Sequence, residues 1–70
     1  MVHFENICVK DGILTARATN LETNFTEQIT VKLDGSYHSG SDSDIIKATW
    51  NIIGRYKGKK FPKETGVSWG

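Results

Sequence analysis

Seventy residues with nine Lys/Arg, eight Asp/Glu and a net charge of +1 allow one domain, 1–70, whose core is marginal. The single cysteine, Cys8, excludes an intramolecular disulfide and a thiolate zinc set, and the two histidines lack companions at ligand spacing. No apolar run is long enough to span a bilayer and the first residues do not read as an export signal, so the expected setting is a reducing cytoplasm without membrane contact.

The first strong local signal is Asp11-Gly12. Asp-Gly between two apolar runs suits a type I′ turn, in which both central residues take positive φ. Folding the chain there pairs Lys10 with Ile13, Val9 with Leu14, Cys8 with Thr15 and Ile7 with Ala16. Ile7, Val9, Leu14, Ala16 and Ala18 then share one face, and Asn6, Cys8, Thr15, Arg17 and Thr19 the other. A slip of one residue would scramble that partition, so it supports the register as well as the hairpin. Phe4 falls on the polar face, which calls for a bulge or for something on that side to cover.

Asn20 to Thr23 reads as a loop, and a third strand follows from Phe25 to Leu33. Phe25, Ile29, Val31 and Leu33 point inward, and Thr26, Gln28, Thr30 and Lys32 outward. Glu27 breaks the pattern and suggests a frayed end. Gly35 to Gly40 is a Gly/Ser-rich connection, and Ser41-Asp42-Ser43-Asp44 is dense in N-cap residues. From Ile45 the apolar period changes to 3.6: Ile45, Ile46, Thr49, Ile52, Ile53 and Tyr56 form a stripe, with Lys47, Asn51, Gly54 and Arg55 opposite and Trp50 on the border. Gly58 is a natural terminator and Pro62 prevents resumption. Residues 60–70 read as a tail in which Val67 and Trp69 alternate like a short edge strand.

The fold expectation is therefore α+β: a three-stranded antiparallel meander, with room for a short fourth strand, covered by one amphipathic helix in the C-terminal half.

Charge is distributed unevenly. Residues 1–45 hold three basic and seven acidic residues, a net −4, while residues 46–70 hold six basic and one acidic, a net +5. Much of the basic excess lies in Arg55, Lys57, Lys59, Lys60 and Lys63, interleaved with Tyr56 and Phe61. Cations with rings are what a phosphate backbone takes; lysines closing a helix and entering a solvated tail are the simpler account. Three strands followed by a helix resembles, in topology alone, double-stranded-RNA-binding and integrase arm-binding modules. A double-stranded-RNA reader opens its helix with lysines, whereas this helix opens with Asp42 and Asp44, so no family is assigned.

Other constellations fail on inspection. The segment Gly35 to Gly40 lacks the lysine and hydroxyl of a phosphate-binding loop, and Asp42 and Asp44 would repel an anion. A calcium loop starting at Asp34 lacks its central glycine and its closing glutamate. Cys8 has no histidine beside it at any local spacing, and His3 and His38 lie in a terminus and a loop. No catalytic, cofactor or metal-ligating residue is expected.

Trp50, Trp69 and Phe61 are the expected partner contacts, because tryptophan and other aromatic residues are the usual anchors of interfaces. The functional expectation is a non-enzymatic protein-binding domain, homo-oligomeric and most simply a homodimer. Inhibitors or antagonists of larger proteins, of the phage or mobile-element accessory kind, are the reference class. Nucleic-acid binding through residues 55–63 is the alternative, and a small enzyme the third reading.

Overall fold

Asp11 and Gly12 take φ of 54° and 75°, the left-handed pair that a type I′ hairpin turn requires. In the computed structural model, which describes residues 1–68, they join β1 (Val2–Lys10) to β2 (Ile13–Asn20). The register at the turn is the expected one, Lys10 with Ile13, Val9 with Leu14 and Cys8 with Thr15.

Beyond Cys8 the register shifts. Asn6 adopts φ of 55°, and Asn6 and Ile7 together oppose the single residue Ala16. This β-bulge restores the alternation that the sequence seemed to break. It sets Glu5 opposite Arg17 and Phe4 opposite Ala18, so Phe4 turns inward and is fully buried. Asparagine suits the bulge because its short polar side chain tolerates the left-handed region better than most. Burying Phe4 is worth about 1.5–3 kcal/mol, enough to favour the irregular backbone over a straight strand.

Strand β3 (Phe25–Lys32) pairs antiparallel with β2 along its whole length. Ile29 and Val31 enter the core as expected. Phe25 does not: it stands at the strand's end, across from Asn20, and is 41% exposed. The far side of β3 is bonded to the connection that follows. The Lys32 N–H donates to Tyr37 O, Ser39 N–H to Thr30 O, and Thr30 N–H to Ser39 Oγ, all at 2.8–3.0 Å. The Gly/Ser-rich loop is thus tied to the edge strand.

Helix α1 (Ser43–Arg55) is capped by Asp42, whose Oδ1 accepts from the N–H groups of Asp44 and Ile45 at 2.9 and 3.0 Å. Ile45, Ala48, Thr49 and Ile52 are its buried residues, while Ile46, Ile53 and Tyr56 are half-buried at the margins. The stripe is thus centred nearer Ala48 than the apolar pattern indicates. Alanine carries little weight in such a pattern, yet it lets the helix lie close to the sheet. Thr49 donates to Ile45 O at 2.7 Å, which removes the cost of burying its hydroxyl.

The chain ends its described course in β4 (Thr65–Val67), antiparallel to β1 with Val67 opposite Val2. The sheet order is β3-β2-β1-β4, with α1 against the inner face. Val2, Phe4, Leu14, Ala16, Ala18, Ile29 and Val31 from the meander meet Ile45, Ala48, Ile52 and Val67 in one apolar core. The fold is α+β, with the short fourth strand present. No helix among the described residues is long and apolar enough to cross a membrane. Trp69 lies outside the described residues.

Candidate functional site

The C-terminal end of α1 leaves apolar surface incompletely covered. Trp50, Ile53, Gly54 and Lys57 recur at helical spacing along a flank at the margin of the core, against which Trp50 and Ile53 are packed half-buried. Opposite them stand Leu33, Gly58 and Phe61, enclosing a groove of about 420 Å³. A second groove of about 540 Å³ shares Leu33, Gly58 and Phe61, and continues past Ile7, Cys8 and Val9 to Lys59, Lys60 and Lys63. The two form one trough with Phe61 on its dividing wall. A third hollow lies against the Asp11–Gly12 turn; apart from Ile13 and Leu33 it is lined by turn residues and Lys32.

The wall residues are held by packing. Phe61 rests on Tyr56 with ring centroids 5.6 Å apart, and Trp50 meets His38 edge-on at 5.5 Å and 70°. Each is half-buried. Gly58, at φ of 73°, turns the chain out of the helix so that Phe61 folds back over it. Both expected aromatic contacts that fall within the described residues, Trp50 and Phe61, therefore line the same trough.

The five cations of 55–63 separate. Lys57, Lys59, Lys60 and Lys63 stand along the trough, all exposed. Arg55 turns elsewhere: its guanidinium donates to Asn51 Oδ1 at 3.2 Å and to the carbonyl of Gly66 at 3.4 Å. Among the described residues the ion pairs are Met1–Glu22, His3–Glu64 and Arg17–Glu5, so none involves these lysines. Their charge faces solvent.

Gly54 is the least expected member. It lies in the last turn of α1, one residue before Arg55, where glycine costs up to about 1 kcal/mol relative to alanine, and a side-chain carbon built on it would meet nothing within 4 Å among the described residues. Among the described residues none packs against the bare backbone at this position.

His38 was expected in a loose loop and is instead fixed. It forms an isolated bridge with Val31, and its Nδ1 accepts from the Gly40 N–H at 2.9 Å. The proton of the neutral ring therefore sits on Nε2, which is buried without a conventional partner beside the Trp50 ring. Burial lowers the His38 pKa, opposed by the nearby Glu27 carboxylate. Glu27 is no frayed end either: it accepts from the N–H groups of Ser41 and Asp42 at 3.2–3.3 Å, anchoring the approach to α1.

Cys8 is exposed at the outer end of the trough. Arg17, on the same outward face, pairs with Glu5 at 3.0 Å. On the outer face of the sheet the structure also gathers His3, Glu5 and Glu64, a grouping that spacing along the chain does not reveal.

No protein-family model, curated protein or solved structure matches the chain.

Proposed function

We propose that this chain is a non-enzymatic protein-binding module that seats an acidic segment with an apolar anchor, carried by a partner protein, in the trough between α1 and Phe61. Gly54 is the observation that carries the reading. A helix accepts a destabilising glycine where something must approach its backbone closely, and none of the described residues does so at Gly54. The apolar walls supply the anchor site, and Lys57, Lys59, Lys60 and Lys63 supply a rim complementary to acidic flanks. The aromatic rings favour a protein over a nucleic acid. Trp50 meets His38 edge-on and Phe61 lies tilted at 44° against Tyr56, so each ring is already engaged within the fold, whereas base stacking uses rings with a free face.

Selection of short random peptides on the immobilised protein tests this directly. Recovered sequences should place Asp or Glu beside Trp, Phe or Leu. Their affinity should fall about tenfold or more in Phe61→Ala and in the combined Lys57→Gln, Lys59→Gln, Lys60→Gln variant. Anisotropy with duplex DNA and with RNA, run alongside, should show binding that vanishes before physiological salt. Recovered peptides without acidic enrichment would overturn the reading. So would nucleic-acid binding at physiological salt that the triple substitution removes, or self-association blocked by Phe61→Ala, which would make a second copy the occupant.

A further inference from the structure

We propose that His3, Glu5 and Glu64 form a binding site for one divalent transition-metal ion of the zinc class on the outer face of the sheet, away from the trough. The bulge at Asn6 leaves His3 and Glu5 two residues apart on the same outward face of β1. The β1–β4 register pairs Phe4 with Thr65 and His3 with Gly66, and its continuation brings Glu64 across from Glu5. Two carboxylates placed opposite one another on neighbouring strands repel, and Arg17 engages only Glu5, at 3.0 Å. A cation between them would remove that repulsion. The cross-strand neighbour of His3 is Gly66, which brings no side chain of its own beside the imidazole.

The distances fit. One ligand atom from each of the three residues lies within 4.8 Å of the other two, and His3 Nε2 stands 3.8 Å from Glu64 Oε2. That is too long for a hydrogen bond. It is close to the roughly 3.4 Å that separates two ligands of one tetrahedral zinc with bonds of about 2.1 Å. Glu64 is exposed and His3 and Glu5 are half-exposed, so side-chain rotation alone can close the remaining gap. One imidazole and two carboxylates complete a three-ligand set with a fourth position for water, a donor mixture that suits zinc better than magnesium or calcium. Arg17 would orient Glu5 from behind.

Titration calorimetry with zinc chloride, in a buffer that does not chelate, reads the site without any knowledge of function. One ion per chain should bind, with a several-degree rise in thermal midpoint, because the ion ties β4 to β1 only in the folded state. His3→Ala and Glu64→Gln should each weaken binding about tenfold or more while circular dichroism stays unchanged. Cys8→Ser and His38→Gln should leave it intact, and the cobalt(II) spectrum should lack a thiolate charge-transfer band. No saturable zinc heat would overturn the proposal. So would binding that survives His3→Ala combined with Glu64→Gln, or binding that Cys8→Ser or His38→Gln removes.

Discussion

At the N-terminal end of α1 the polar side chains engage one another. Asn20, only 2% exposed, donates from Nδ2 to Asp44 Oδ2 at 3.2 Å and to Asp42 Oδ2 at 3.4 Å, while its Oδ1 accepts from the Glu22 N–H at 3.1 Å. Asp42 caps the helix, Glu27 holds the backbone at Ser41 and Asp42, and Gly40 donates to His38. At the C-terminal end four lysines stand unpaired among the described residues beside apolar walls, with a glycine inside the helix. Both ends are rich in charge and glycine. One end uses them to fix the fold, and the other leaves them facing outward. Substitutions should therefore separate into those that cost stability and those that cost binding.

The largest effect is expected from Asn20→Ala. It removes the donor between two carboxylates and leaves Asp42 and Asp44 facing each other in a partly buried site, at a cost of about 2 kcal/mol. For a domain of this size that lowers the thermal midpoint by on the order of 10 °C. Affinity for a trough-binding peptide should stay unchanged below the transition. A loss of affinity as large as the loss of stability would mean that the two ends are coupled.

How much of this contrast was visible beforehand depends on how local each cause is. The hairpin was readable because Asp11-Gly12 determines its own turn and with it the pairs from Lys10–Ile13 to Cys8–Thr15. The expected Ile7–Ala16 pair, however, is displaced by the bulge, and Val9, expected inward, is exposed. The bulge was readable only as an anomaly at Phe4, since nothing in Asn6 itself demands positive φ. Glu27 looked like a strand error because its partners are backbone N–H groups at Ser41 and Asp42, brought near by the tertiary fold. His38 looked loose for the same reason. Trp50 and Phe61 could each be named, and so could the lysines. That they line one trough with Leu33 and Ile53 depends on the path after Gly58, which follows no periodic pattern. The grouping of Glu64 with His3 and Glu5 depends on which edge β4 joins.

A smaller effect concerns pH. In the folded chain the His38 pKa is lowered, first by burial, so the unfolded chain binds the proton more readily, at its ordinary value near 6.5. Stability should be fully present above about pH 6.5 and decline as pH falls through the window toward the lowered folded value. Denaturant melts between neutral and mildly acidic pH should show this slope, and His38→Gln should flatten it. An equal slope in the variant would place the proton uptake on another group.

The smallest change in stability carries the most weight. Gly54→Ala should raise the thermal midpoint by a few degrees, because alanine favours the helix by up to about 1 kcal/mol and its side chain meets nothing among the described residues. Its affinity for an acidic, apolar-anchored peptide recovered on the unmodified protein decides the account. The same variant should bind that peptide about tenfold or more weakly, since the added carbon projects into the trough. A Gly54→Ala protein that is more stable and binds the peptide as tightly as the unmodified chain would contradict the claim that this end of the helix is the binding surface.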